Sequence, residues 1–151
     1  TGVILNNFLN WADLNPASPN ALQQGKRMAM CLAPSISTRG GKGILALGTP
    51  GSYGILQTQV QAMVGHVDFG LDIQAAIEMP RARLWDGKQI YLERRVPHSV
   101  CVELSARGHD VALLPDYSWR TGGMQAVSRD PDSGALAGAA DSRRDGAVIP
   151  A

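Results

Sequence analysis

The apolar positions of this chain fall in short runs separated by Gly, Pro, Asn and Ser, with one stretch of clear helical period. Residues 2–6 read as a short buried strand, and the Asn, Pro and Ser content of residues 13–20 reads as a long irregular loop. The apolar run 28–36, broken at Pro34, and the run 44–47 flank Thr38-Arg39-Gly40-Gly41-Lys42-Gly43, which predicts a β-hairpin. After Gly48-Thr49-Pro50-Gly51-Ser52 the period changes, and Leu56, Val60, Met63, Val64 and Val67 fall at helical spacing on one face. A strand therefore feeds a glycine-rich turn that opens a helix.

Asp72 stands where it can cap a second helix through Ala75, Ala76 and Ile77, stopped by Pro80. Asp86-Gly87, between 81–85 and 89–93, predicts a second hairpin, because both residue types tolerate positive φ. Pro97 and Gly108 bracket a third helix with Val96, Val100 and Leu104 on one face. Residues 111–114 read as a strand, and 124–128 and 135–139 flank Asp130-Pro131-Asp132-Ser133-Gly134 as a last hairpin. The sum is an α+β fold, mostly antiparallel, with helices packed on one side, and one domain over residues 1–151.

Composition narrows the function classes. The 14 basic and 13 acidic residues are interspersed and leave a formal charge of +1, so neither nucleic acid nor an anionic membrane is an expected partner. Apolar runs are far too short to span a bilayer. Cys31 and Cys101 lack the paired spacing of metal or redox motifs and read as two buried free thiols. His66, His98 and His109 are isolated from one another, so no metal or cofactor is expected. No signal peptide opens the chain, and Thr1-Gly2-Val3-Ile4-Leu5 begins in mid-pattern without an initiator methionine, as a cut product would. No compartment is marked.

The local feature best suited to chemistry is the strand-to-helix turn 48–52, whose backbone N–H groups converge on one spot and favour negative charge, as an oxyanion needs. Taken on spacing alone, Gly and Pro there more often merely shape a connection. Gly40-Gly41-Lys42-Gly43 lacks the spacing and following Ser or Thr of a phosphate loop. The run Asp141-Ser142-Arg143-Arg144-Asp145-Gly146 suits an anion site, but its mixed signs read first as an internally paired structural knot. Thr1 invites comparison with N-terminal threonines whose own amine activates the hydroxyl.

Six segments in order, Thr1-Gly2-Val3-Ile4-Leu5-Asn6-Asn7, Lys26-Arg27 with Pro34-Ser35, Gly48-Thr49-Pro50-Gly51, Asp68-Phe69-Gly70-Leu71, Met79-Pro80-Arg81 and Ala140-Asp141-Ser142-Arg143-Arg144-Asp145-Gly146, resemble the small subunit of γ-glutamyltransferases. The resemblance runs along nearly the whole chain. It implies the αββα sandwich of N-terminal-nucleophile hydrolases, here without its first strands. It further implies a self-cleaving precursor and a new N-terminal threonine that attacks a γ-glutamyl or related amide. That threonine lies upstream of the segment matching Thr1 to Asn7, so Thr1 becomes an interior residue, and the expected partner is the large subunit or the rest of the same precursor.

By the same resemblance, Gly51 and Ser52 match the two residues whose amides stabilise the tetrahedral intermediate; Ser in place of the family's second Gly keeps the N–H. The positions with which the family grips the glutamyl ammonium and carboxylate read Phe8, Trp11, Met30 and Cys31. Apolar groups leave either charge unpaired, at a cost on the order of several kcal/mol. An apolar or aromatic acyl group, as in acylase-like relatives, fits them better than γ-glutamyl. The leading expectation is an amide hydrolase or acyltransferase acting through a threonine outside this chain; the alternative is a non-catalytic remnant of the fold that serves as an assembly or binding module.

Overall fold

The computed structural model describes residues 2–149, so Thr1 lies outside the described residues. Contacts divide the chain into a unit ending at Cys31 and a larger one beginning at Leu32. In the first, residues 2–7 take no regular structure, and Val3, Ile4 and Leu5 are exposed. The buried strand expected at 2–6 is absent, because no strand of this unit pairs with it and an isolated strand leaves its N–H and C=O groups without ladder partners. A 3₁₀ turn over Phe8–Trp11 follows, then the irregular loop, closed by a bridge between Asp13 and Ala21.

The larger unit holds two sheets. Strands β1 (Ser35–Arg39), β2 (Lys42–Gly48), β6 (Gln125–Arg129) and β7 (Leu136–Ala140) form an antiparallel sheet in the order β1-β2-β6-β7. Both hairpins of this sheet were legible in their turn residues: Gly40 and Gly41 have positive φ, and Asp130 Oδ1 accepts from the Ser133 N–H at 2.7 Å. Strands β3 (Ala82–Asp86), β4 (Gln89–Glu93) and β5 (Asp110–Leu114) form the second sheet. Its β3–β4 hairpin turns at Gly87 and Lys88, one residue later than expected. Strands β4 and β5 are parallel because helix α3 (His98–Ala106) carries the chain across between them.

Helix α1 (Ile55–Val67) and helix α2 (Ile73–Glu78) cover one face of the four-stranded sheet. Leu45, Leu47, Ala62, Ile73, Ile77, Met124, Ala126 and Ala139 make the shared core. Asp72 caps α2 as expected, accepting from the Ala75 N–H at 3.0 Å. The buried side of α1 is not the apolar stripe seen in the sequence. Thr58, Gln59, Ala62 and Gly65 face inward, whereas Leu56, Val60 and Val67 are exposed. Close approach decides this: a Cβ on Gly65 would lie 2.5 Å from Met79 Sδ, so only a residue without a side chain lets the helix seat there. Its glutamines then act as substitutes for a strand, Gln57 pairing with both backbone groups of Leu84, and Gln61 with both of Ala82.

In α3 the expected face is only partly realised, since Cys101 is buried and Val100 is not. Cys31 is half-buried, against the expectation of a buried thiol, and both cysteines are free. The opposite face of the four-stranded sheet is open except where Val148 lies over Gly138: Ile36, Ala46, Val127 and Gly138 form one row across it, with Ile36 74% and Val127 49% exposed. A sheet buries apolar side chains on both faces only when a second layer is laid against it.

Candidate functional site

Strand β2 ends at Gly48 and the chain turns through Thr49, Pro50 and Gly51 into a 3₁₀ turn, Ser52–Gly54, that runs directly into α1. Gly51 has φ 141° and Ser52 φ 58°, two consecutive residues in the left-handed half of backbone space. Only Gly takes the first without strain, and Ser carries a modest penalty at the second. The Gly51 carbonyl is engaged by the Gly54 N–H at 3.0 Å. The N–H groups of Gly51 and Ser52 donate to no acceptor among the described residues, and both residues are only half-buried.

A second glycine pair holds this conformation. The Gly123 N–H donates to Thr49 Oγ1 at 3.1 Å, and the Thr49 hydroxyl donates to the Pro50 carbonyl at 2.8 Å. A Cβ on Gly122, which has φ 104°, would lie 2.6 Å from Thr49 Oγ1 and 3.2 Å from the Pro50 oxygen. Gly122 thus lets the chain before β6 pass against the turn. Thr49 was legible only as part of the turn and Gly122-Gly123 not at all, because the pairing joins positions 74 residues apart.

Beneath the turn lies a buried ionic network. Glu93, fully buried at the end of β4, accepts from Arg143 Nε at 2.6 Å and Nη2 at 2.8 Å, from Arg95 at 2.8 Å, from the Thr121 hydroxyl at 3.0 Å and from the Ser118 amide at 3.0 Å. Asp141, also fully buried, accepts from Arg81 at 2.8 Å, from Arg143 Nη1 at 3.1 Å and from the Met124 amide at 3.0 Å. Arg81 reaches the Thr121 carbonyl at 2.9 Å as well. The structural reading of the acidic-basic run is therefore the observed one for Asp141 and Arg143.

Burial by itself would push both carboxylates up, but the bonds from Arg143 to Glu93 and the charge of Arg81 beside Asp141 hold each below the ordinary carboxylate range. Burial likewise opposes the charge of Arg143, and its bond to Glu93 more than compensates. Burial, and then the neighbouring Arg143 charge, lower Arg81 to about 10, still well above neutral. All four groups are charged at pH 7 and each has its bonds met.

In the smaller unit, Phe8 and Trp11 stand on the 3₁₀ turn, and Met30 and Cys31 at its end; all four are half-buried. Asn20 joins these two stretches, donating to the Trp11 carbonyl at 2.6 Å and accepting from the Ala29 N–H at 2.8 Å. That link was not legible in the sequence, where Asn20 reads only as a loop residue.

The family model for gamma-glutamyltranspeptidase matches residues 1–151. Among curated relatives, the acylase ACY 1 proenzyme of Pseudomonas sp. (strain V22) is 37% identical over 150 residues, 99% of this chain and 26% of that protein. The glutathione hydrolase proenzyme of Bacillus subtilis (strain 168) is 34% identical over 148 residues, covering 98% and 25%. The crystal structure of cephalosporin acylase from Bacillus halodurans superposes with a TM-score of 0.85 at 34% identity, over 93% of this chain and 26% of that one. The chain spans about a quarter of the length of these relatives. Antiparallel sheet with helices on one side, as expected, is the fold of these N-terminal-nucleophile hydrolases. By the match along its whole length, the chain belongs to the gamma-glutamyltranspeptidase family.

Proposed function

We propose that this chain supplies the oxyanion-stabilising turn of an amide hydrolase or acyltransferase whose nucleophilic threonine is contributed by the rest of its precursor. The observation that carries the reading is the turn itself: consecutive N–H groups at Gly51 and Ser52, both without an acceptor among the described residues, held by positive φ angles and by Thr49 at the head of α1. In the reaction the threonine hydroxyl adds to the amide carbonyl, its proton passing to the threonine's own amine. Charge develops on the carbonyl oxygen, where two fixed donors lower the barrier without reorganisation. Collapse expels the amine with that proton and leaves an acyl-enzyme, which water or an acceptor amine resolves.

Phe8, Trp11, Met30 and Cys31 are the positions assigned to choosing the acyl group, and their apolar character favours aliphatic or aromatic acyl amides over γ-glutamyl ones. The relatives include a protein named acylase beside one named glutathione hydrolase, in keeping with that choice. The open face of the four-stranded sheet, with Ile36 and Val127 exposed, supports the remainder of the precursor as the partner layer. Loss of the polar clamp also favours a second reading, a non-catalytic remnant that assembles or binds.

The deciding assay uses the full-length, processed protein with γ-glutamyl, aliphatic and aromatic acyl p-nitroanilides. Turnover of the apolar amides is expected, and no turnover with any of the three leaves only the remnant. Ser52→Gly is expected to retain activity, and Ser52→Pro, which deletes one donor and cannot keep the φ of 58° that shapes the turn, to lower kcat by at least about 10²-fold. Undiminished kcat in a folded Ser52→Pro protein would refute the oxyanion assignment. Should the Pro variant misfold, a Ser52→Ala protein with the amide retained and kcat lowered as far would refute it equally, since the side chain would then be the active group.

A further inference from the structure

Strand β3 presents a second arginine two residues beyond the one locked in the ionic network. Arg83, Trp85, Tyr91, Trp119 and Arg120 line a cleft of about 380 Å³ with no carboxylate among them. Arg83 is 8% exposed, yet it forms no ion pair among the described residues; its Nη1 donates to the Arg120 carbonyl at 2.9 Å, and its Nε has no acceptor. The guanidinium of Arg83 lies 4.8 Å from the Trp85 ring centre, and that of Arg120 lies 5.9 Å from both Tyr91 and Trp119. Trp85 and Tyr91 are 5.8 Å apart and tilted by 44°. Arg144 adds a third positive charge, 5.7 Å from Trp119, again without an acidic partner among the described residues.

Such a constellation is incomplete as a structural feature. Buried arginines in folded proteins are matched by carboxylates, as Arg81 and Arg143 are here, because an unmatched buried charge is expensive. Burial is the main cause that lowers the Arg83 pKa; Tyr91 opposes it, and the charges of Arg120 and Arg144 add to it, so an arriving anion would relieve the repulsion among the arginines. Two tryptophans half or more exposed beside it, Trp85 at 55% and Trp119 at 63%, offer flat faces to a ring. The cleft also adjoins the oxyanion turn: a Cβ on Gly54 would lie 2.8 Å from Arg83 Nε.

We propose that this cleft binds a carboxylate attached to an aromatic or other planar group, the carboxylate meeting Arg83 and Arg120 and the ring lying against Trp85, Tyr91 or Trp119. This goes beyond the oxyanion assignment and does not depend on it. A guanidinium presents a planar fork to a carboxylate, and an aromatic ring beside it excludes water from that pair. A small molecule that carries both groups is what this chemistry recognises.

The test titrates the full-length, processed protein with 2-naphthoate, read by calorimetry and by quenching of tryptophan emission. Saturable binding is expected, with 2-naphthamide and acetate each at least about tenfold weaker, since one lacks the charge and the other the ring. Arg120→Gln and Trp119→Ala change exposed side chains, and each is expected to weaken 2-naphthoate about tenfold with melting temperature unchanged. Arg107→Gln, whose parent arginine pairs with Glu103 on α3, is expected to leave binding as it was. Absence of saturable binding, equal affinity for the amide, or full affinity in both cleft variants overturns the proposal. Binding that persists in an inactive Ser52→Pro protein keeps the cleft and the catalytic reading separable.

Discussion

Arg81, just before β3, and Arg83, on that strand, stand two residues apart, and their surroundings could hardly differ more. Arg81 is enclosed with Asp141 and shares its network with Glu93 and Arg143, every charge answered by an opposite one. Arg83 is also buried but meets aromatic rings and two further arginines, with no carboxylate among the described residues that line its cleft. Burial alone therefore does not tell a structural charge from a binding one; the inventory of counter-charges does. A closed network holds the chain ends of β4 and β7 together, whereas an open one is poised to accept what it lacks.

The sharpest way to break the comparison is to uncover a charge in the closed network. Asp141→Asn leaves Arg81 and Arg143 with one fewer anion, and a loss of about 3–5 kcal/mol in unfolding free energy is expected by denaturant titration. The same network should dominate the acid limb of stability. Glu93 and Asp141 both titrate below their ordinary values when folded, so between the folded and unfolded pKa values the unfolded chain binds more protons. Stability is then full above the unfolded values of about 4.5 and 3.8 and falls as pH drops through the folded ones. Denaturant midpoints measured from pH 7 to pH 3 should show that fall, and Glu93→Gln should flatten it.

A smaller effect is expected where the two regions meet. Gly54→Ala places a methyl against Arg83 Nε and Cδ, and overpacking of this kind costs about 1–3 kcal/mol, visible as a lower melting temperature. Displacement of Arg83 should also weaken 2-naphthoate binding. The least effect on stability is expected from Arg120→Gln, within about 0.5 kcal/mol of the parent, because an exposed and unpaired charge contributes little to folding. A large loss of stability there would mean that the open cluster is structural after all.

Much of this was written locally. Gly40-Gly41, Gly87 and Asp130-Pro131-Asp132-Ser133-Gly134 announced three hairpins, and Asp72 and Gly108 marked helix ends, because turns and caps are governed by the conformations a few neighbouring residues can adopt. The glycine-rich turn at 48–52 was likewise visible, since its backbone angles exclude most side chains. Tertiary structure alone decided the rest. The buried face of α1 followed from the close seat at Gly65 and the glutamine bonds to β3, against the apolar stripe. Glu93 became the hub of a network, and Arg83 and Arg120 became neighbours, because 3₁₀ turns 50 and 37 residues further along the chain pack against the ends of β4 and β3. Periodicity reports what a segment prefers to bury, but which charges face one another depends on long-range packing that no short window of sequence contains.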